Sequence, residues 1–331
     1  MGFSLVEVMI SLALGLILIV SLIEIFLSSN QVYRVHQAQA RLQENGRFAL
    51  QYLSNKIRTV GYKSCATQHK SDSFSQIIDF KLNPYLYNFE TEVQGSESIG
   101  KNTWSPPINS GNDSAVISSP VSGSDVLTLR MITGPVVPLV SHANKTSPLI
   151  IDRGYQFARG ESVMVANCQT MTIFKNTNSK TELNGRLTFA AETSFNISEA
   201  LAENYENGEV MALETTTYYI RNNAQGIPSL YQKVFSSPVK EVVEGVEQMQ
   251  LIYGVDTTGD NAVDVYQSAD SITDWAWVKS IQLSLVLRTI EDNLTVGGPQ
   301  SYRLNSQLIR PEDSFLRAVF TQTISLRNRV K

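Results

Sequence analysis

Glu7 is the first residue whose placement demands chemistry. Between Phe3 and Leu27 the only ionisable side chains are Glu7 and Glu24. A carboxylate in a membrane helix costs about 3 kcal/mol at the bilayer centre, so it calls for a partner. No Lys or Arg lies within two helical turns of it. A free α-amino group on a neighbouring copy would serve if the chain began at Phe3. Snorkelling of Glu7 to the membrane face is the competing account.

A second arrangement is the run Asp256-Thr257-Thr258-Gly259-Asp260-Asn261-Ala262-Val263-Asp264, with oxygen side chains at offsets 0, 2, 4 and 8. Alternate residues pointing inward at a hard cation are how a calcium loop begins. Asp256, Asp260 and Asp264 would be its ligands; apart from such a Ca2+ no cofactor is expected. Gln267 stands where a bidentate Glu would close such a loop, and Asn261 where its glycine would be. A polar hairpin turn between Tyr253 and Tyr266 explains the same residues without a cation.

Little else could do chemistry. His36, His69 and His142 are scattered, and neither cysteine, Cys65 or Cys168, has a histidine placed to activate it. There is no phosphate-binding glycine loop and no nucleophile elbow. The chain is therefore not expected to be an enzyme. The acidic pairs Glu291-Asp292 and Glu312-Asp313 read as solvated turns.

The elements that must carry these residues follow from patterning. With 331 residues, 42% hydrophobic and 18% charged, the chain is neither wholly disordered nor a many-spanning membrane protein. Net charge is −4, so no global basic field favours nucleic acid as a partner. From Trp277 onward eight Lys and Arg face four acids, a local excess read as alternating strand charges at the surface. Phe3 to Leu27, as a helix, spans roughly 37 Å, enough for a hydrocarbon core of about 30 Å. Its length, and the lack of a small-x-small site after it, favour an anchor over a cleaved secretory signal.

Residues 31–60 continue as a helical stem with an apolar stripe at Val32, Val35, Leu42, Ala49, Leu53, Ile57 and Val60. Arg58 sits in the last turn and Gly61 is a natural C-cap. Gly46 within this stem costs about 1 kcal/mol relative to alanine and marks a bend or a close contact. Gly95 to Ser124 reads as a long surface loop. Beyond it, strands are expected at Val126–Ile132, Ser162–Ala166, Met171–Phe174, Leu187–Ala190, Val210–Ile220, Val246–Tyr253, Trp275–Leu287 and Arg317–Leu326. The fold class is α+β: one long helix followed by a mainly antiparallel β body.

Gly2-Phe3-Ser4-Leu5-Val6-Glu7-Val8-Met9-Ile10 resembles the type III signal of type IV pilins and type II secretion pseudopilins. The resemblance implies cleavage by prepilin peptidase after Gly2, N-methylation of Phe3 as the new N-terminus, and Glu7 as the carboxylate that pairs with a neighbouring subunit's terminal amine. Within that superfamily the body resembles PilW-type minor pilins. The resemblance is carried by Arg58 to Cys65, Leu230-Tyr231-Gln232-Lys233, Glu244 to Met249, Tyr253 to Asp256, Trp275 to Arg288, and Phe320 to Arg329. It covers nearly the whole chain, fading between Ser71 and Ser124.

The implied organisation is a residual leader at 1–2, a transmembrane and filament-core helix at 3–30, a periplasmic stem at 31–61 and a β-rich body at 62–331. The implied role is non-enzymatic, in initiating and assembling type IV pili near the fibre tip. The partners would be other minor pilins, the major pilin, a tip adhesin, prepilin peptidase and the inner membrane. The protein would start as a single-pass inner-membrane protein with a periplasmic body and end in the fibre at the cell surface. A pseudopilin J-like subunit of type II secretion is the alternative, as is an adhesin or DNA-uptake module. In an oxidising periplasm Cys65 and Cys168 would pair, closing a loop of about a hundred residues; two buried unpaired thiols are the other reading.

Overall fold

The computed structural model describes residues 4–62, 74–79, 83–108, 116–178, 185–235, 237–292, 294–295 and 298–329. One helix, α1 (Leu5–Thr59), runs without interruption for 55 residues. At 1.5 Å per residue it is roughly 82 Å long. Its two halves behave differently. From Leu5 to Leu27 the large apolar side chains stand exposed, Leu5 at 77% and Leu27 at 60%. From Leu42 on, one face (Leu42, Gly46, Ala49, Leu53, Ile57) is buried at spacings of three and four, as in an amphipathic stem, whereas Val32 and Val35, expected in the same stripe, are exposed and half-buried. The helix ends where Val60 turns extended and Gly61 takes a positive φ of 81°.

After α1 comes the β body. Among the described residues, an eleven-stranded sheet is built around Glu209–Asn222, which lies between Ser162–Ala166 and Val126–Ser141. A four-stranded antiparallel sheet has the order Val265–Gln267, Val246–Val255, Val278–Arg288, Arg317–Ser325. A short hairpin pairs Tyr302–Leu304 with Gln307–Ile309. Among the described strands, pairing is antiparallel except for Phe74–Gln76, which runs parallel to Met171–Lys175. The main core lies where stem, small sheet and large sheet meet, with Leu53 and Ile57 of the stem clustering with Leu251, Leu283, Ile324 and Leu129.

Several expected boundaries moved. The segment Gly95–Ser124 is not one surface loop: Val93–Gly100 and Thr103–Ser105 are paired strands, and Val116 and Ile117 are buried. Its glycine content misled because Gly95 is not a flexible position. A Cβ there would lie 1.9 Å from the Tyr253 hydroxyl, so the missing side chain makes room for a ring from the other sheet. Val126–Ser141 runs well past Ile132, absorbing Gly134-Pro135 in a register shift between Thr133 and Val137. Trp275–Trp277 forms a 3-10 turn and the strand starts at Val278. Of Leu187–Ala190 only the pair Arg186–Leu187 is strand.

Candidate functional site

At the lower end of α1, Ser4 is the N-cap, and its backbone N–H donates to Glu7 Oε2 at 3.0 Å. The carboxylate thus lies over the helix N-terminus, where orphan N–H groups and the helix dipole favour negative charge. Within the chain, the partner of Glu7 is local backbone rather than a cation. The signal was legible as Ser4-x-x-Glu7, a capping-box spacing. Ser11 and Ser21 each return a hydroxyl proton to the carbonyl four residues earlier, Glu7 O at 2.7 Å and Ile17 O at 3.0 Å, so neither hydroxyl is left bare in the apolar stretch. Gly2 and Phe3 lie outside the described residues.

At the upper end, the chain terminus is tied to the helix exit. Asn328 Nδ2 donates to Val60 O at 2.9 Å. Arg329 Nε donates to Glu92 Oε2 at 2.9 Å, and its Nη1 to Trp275 O at 2.5 Å. Lys279 Nζ donates to Arg329 O at 3.2 Å and to Asn261 Oδ1 at 2.9 Å, and stands 3.6 Å from Asp256. One connected set of polar contacts therefore joins the stem, both sheets and the Asp256–Asp264 loop. Glu92 was missed in the sequence because nothing local distinguishes it.

The loop carboxylates do not converge. Buried Asp256 accepts Gly259 N–H at 2.6 Å and Asn261 N–H at 2.9 Å. Asp264 accepts Thr257 N–H at 2.7 Å and Thr258 N–H at 3.0 Å, while Asp260 accepts Ala262 N–H at 2.8 Å. Desolvation would raise the Asp256 pKa, but the two N–H groups and the Lys279 ammonium hold it below the usual carboxylate value. The Thr257 N–H and hydroxyl do the same for Asp264. Each carboxylate caps the loop's own backbone, as Asx turns do. Among the described residues no group of three or more His, Cys, Asp or Glu could hold a metal ion. In this arrangement the three carboxylates cap the turn itself.

Four of the eight basic residues after Trp277, namely Lys279, Arg288, Arg317 and Arg329, are ion-paired. Arg317 grips Glu247 at 2.6 Å and Asp313 at 2.5 Å, and Arg288 lies 3.8 Å from Glu247. Asp313 is therefore not a solvated turn residue; its hydrogen bond to Arg317 lowers its pKa. Glu291 reaches across to Arg34 of the stem at 3.0 Å, with both side chains exposed.

A buried acid that patterning missed, Asp125, joins the two sheets: Oδ1 accepts Ser98 N–H at 3.1 Å and Oδ2 accepts Leu251 N–H at 2.8 Å. Burial, then the charge of Glu97, pushes its pKa up to about 7 despite those hydrogen bonds. Of the histidines, His142 is buried and its Nδ1 accepts Tyr205 N–H at 2.9 Å, His36 is exposed on α1, and His69 lies outside the described residues. Cys168 sits exposed in the turn between Ser162–Ala166 and Met171–Lys175. Among the described residues no cysteine is free. Cys65 lies outside them.

Residues 217–328 match the family model described as type IV pilus-assembly protein W. This supports a PilW-type pilus protein with a role in type IV pilus assembly, a family described by assembly rather than catalysis. The match covers the end of Glu209–Asn222 and the strands Pro228–Val234 and Lys240–Glu244 of the large sheet, the small sheet with its ion pairs, and Asn328 of the C-terminal tie. Together with the exposed apolar half of α1 it fits a membrane-anchored pilus protein. No curated protein and no solved structure matches the chain.

Proposed function

We propose that this chain is a minor pilin that takes part, without enzymatic chemistry, in initiating type IV pilus assembly near the fibre tip. The observation that carries the reading is the division within one unbroken helix. Its Leu5–Leu27 end is apolar and exposed while its Leu42–Ile57 end is built into the body. Exposed apolar surface of that kind must be covered, first by lipid and then by the same segments of other subunits. At about 25 cal/mol per Å² of apolar area, burial supplies the main driving force for bundling.

In this reading the chain is processed after Gly2, and Glu7 exchanges its local backbone contact for the terminal amine of a neighbouring subunit, which sets axial register. Leaving that carboxylate unpaired in the bundle would be costly. Cys65 and Cys168 form a bridge holding the start of the body to the large sheet. The test is Glu7→Ala in the native host. The variant should fractionate with the inner membrane as the parent does but support fewer assembled pili. Unchanged piliation would remove the register role, and unchanged piliation on deleting the whole gene would remove the pilus role. N-terminal mass spectrometry of the mature chain reads the cleavage directly.

A further inference from the structure

The strand Arg317–Ser325 ends the four-stranded sheet with nine residues and, among the described residues, no strand paired on its outer side. Its register fixes which backbone groups are free. Thr289 N–H donates to Leu316 O at one end and Leu326 N–H to Lys279 O at the other. Antiparallel alternation then turns the N–H and C=O of Ala318, Phe320, Gln322 and Ile324 toward Val278–Arg288. Those of Val319, Thr321 and Thr323 point outward, with no ladder partner among the described residues.

Folded proteins blunt such edges with short strands, charges, prolines or bulges. The other edges here follow that rule. Phe74–Gln76, Thr103–Ser105 and Val265–Gln267 have three residues each, and Lys240–Glu244 carries Lys240, Glu241 and Glu244. Ala318–Ser325 has neither a charge nor a proline, and Thr321 and Thr323 are exposed.

Beside this edge, on the stem side, lies a groove of about 330 Å³ lined by Arg47, Ser54 and Arg58 of α1 and by Phe320 and Gln322. No carboxylate lines it. Ser54 is 3% exposed, and its hydroxyl has no hydrogen-bond partner. A strand added to the edge would project alternate side chains into this groove, toward two arginines.

We propose that Val319–Thr323 receives an extended strand from another pilus subunit, with a carboxylate on the side facing Arg47 and Arg58. The surface is read from the structure; that its occupant is a pilus subunit rests on the proposed function. A second copy of this chain does not fit. Phe320 lies beside Gly46 and Asn328 beside Val60, so the strand runs in the same direction as the stem. Two copies paired edge to edge in the antiparallel sense of this sheet would have antiparallel stems, and only one could enter a given membrane.

The test uses the full chain in its host. Thr321→Pro deletes one outward N–H and no inward one, which an edge strand tolerates, and like Thr321→Val it removes the hydroxyl that meets Ser284 Oγ at 2.9 Å. Its melting temperature should stay within about 3 °C of the parent while pilus assembly is lost. Thr321→Val, which keeps the N–H, should assemble normally, and Arg47→Glu should assemble poorly. Parent-level pili from Thr321→Pro, in a host that is bald when the gene is deleted, would overturn the strand and leave the pilus role standing. If Thr321→Pro fails to fold, amide exchange decides: Val319, Thr321 and Thr323 should exchange fast in the detergent-solubilised chain and slowly when it is co-purified with its neighbouring minor pilins. Equal exchange in the two samples would overturn the proposal.

Discussion

Gly46 of the stem and Phe320 of the last strand occupy one contact: a Cβ on Gly46 would lie 2.3 Å from Phe320 Cε2. The glycine is a notch for a ring, and through it α1 is keyed to the edge of the small sheet. The helix does not need Gly46 for its own sake, since glycine weakens a helix by about 1 kcal/mol relative to alanine.

Gly46→Ala should therefore destabilise the body despite better helix propensity, by roughly 1–2 kcal/mol, because the ring must leave its place. Phe320→Ala in the same chain should relieve the clash, so the double variant loses less than the sum of the single ones. Thermal unfolding of the detergent-solubilised chain measures both. A Gly46→Ala chain more stable than the parent would mean that the ring moves freely.

Asp256 and Asp260 should separate the turn from the cation reading. Asp256 is buried and fixes two loop amides beside Lys279, whereas Asp260 caps only Ala262. Asp256→Ala should lower the melting temperature clearly and Asp260→Ala little, with calcium changing neither. A calcium-dependent rise that Asp260→Ala abolishes would restore a metal site.

Asp125 gives a pH dependence with a definite sign. Its pKa in the fold is about 7, against an ordinary 3.8. The folded protein therefore keeps a proton that the unfolded chain has released. The stability this group contributes is full below about pH 4 and is lost as pH rises to about 7. Asp256, Asp264 and Asp313 have lowered values, so their contribution falls away on acidification below that window. Asp125→Asn should flatten the decline in melting temperature between about pH 5 and pH 7. It should also lose one inter-sheet hydrogen bond, because an amide offers a single acceptor oxygen to the Ser98 and Leu251 N–H groups. A variant with the parent's slope would place the titration elsewhere.

The cysteines carry the last expectation. Under non-reducing conditions the full chain should show no titratable thiol, and reduction should cost it about 5 kcal/mol for a loop near a hundred residues. Two thiols in the unreduced chain would remove the bridge.

Local rules account for what could be read from the residues alone. The apolar run, the stem's spacing of three and four and the Gly61 exit depend on neighbours along one helix, so α1 was legible nearly to its ends. Alternation and β-branched runs located the five longest of the described strands and missed nine of the seventeen, most of them too short to show a period. The Ser4 cap on Glu7 is just as local, but it was passed over in the search for a cation beside Glu7. Tertiary structure decided everything that depends on residues distant in sequence. Gly95 reads as part of a loop, and Gly46 as either a bend or a close contact, until Tyr253 and Phe320 arrive from far along the chain. Asp256, Asp260 and Asp264 have the spacing of ligands, yet each turns to the nearest backbone N–H, and Lys279 stands beside Asp256. Whether Arg317–Ser325 lies inside a sheet or at its rim is invisible in its residues, because a strand's neighbours are chosen by topology. That choice leaves Val319, Thr321 and Thr323 with backbone groups open to a partner.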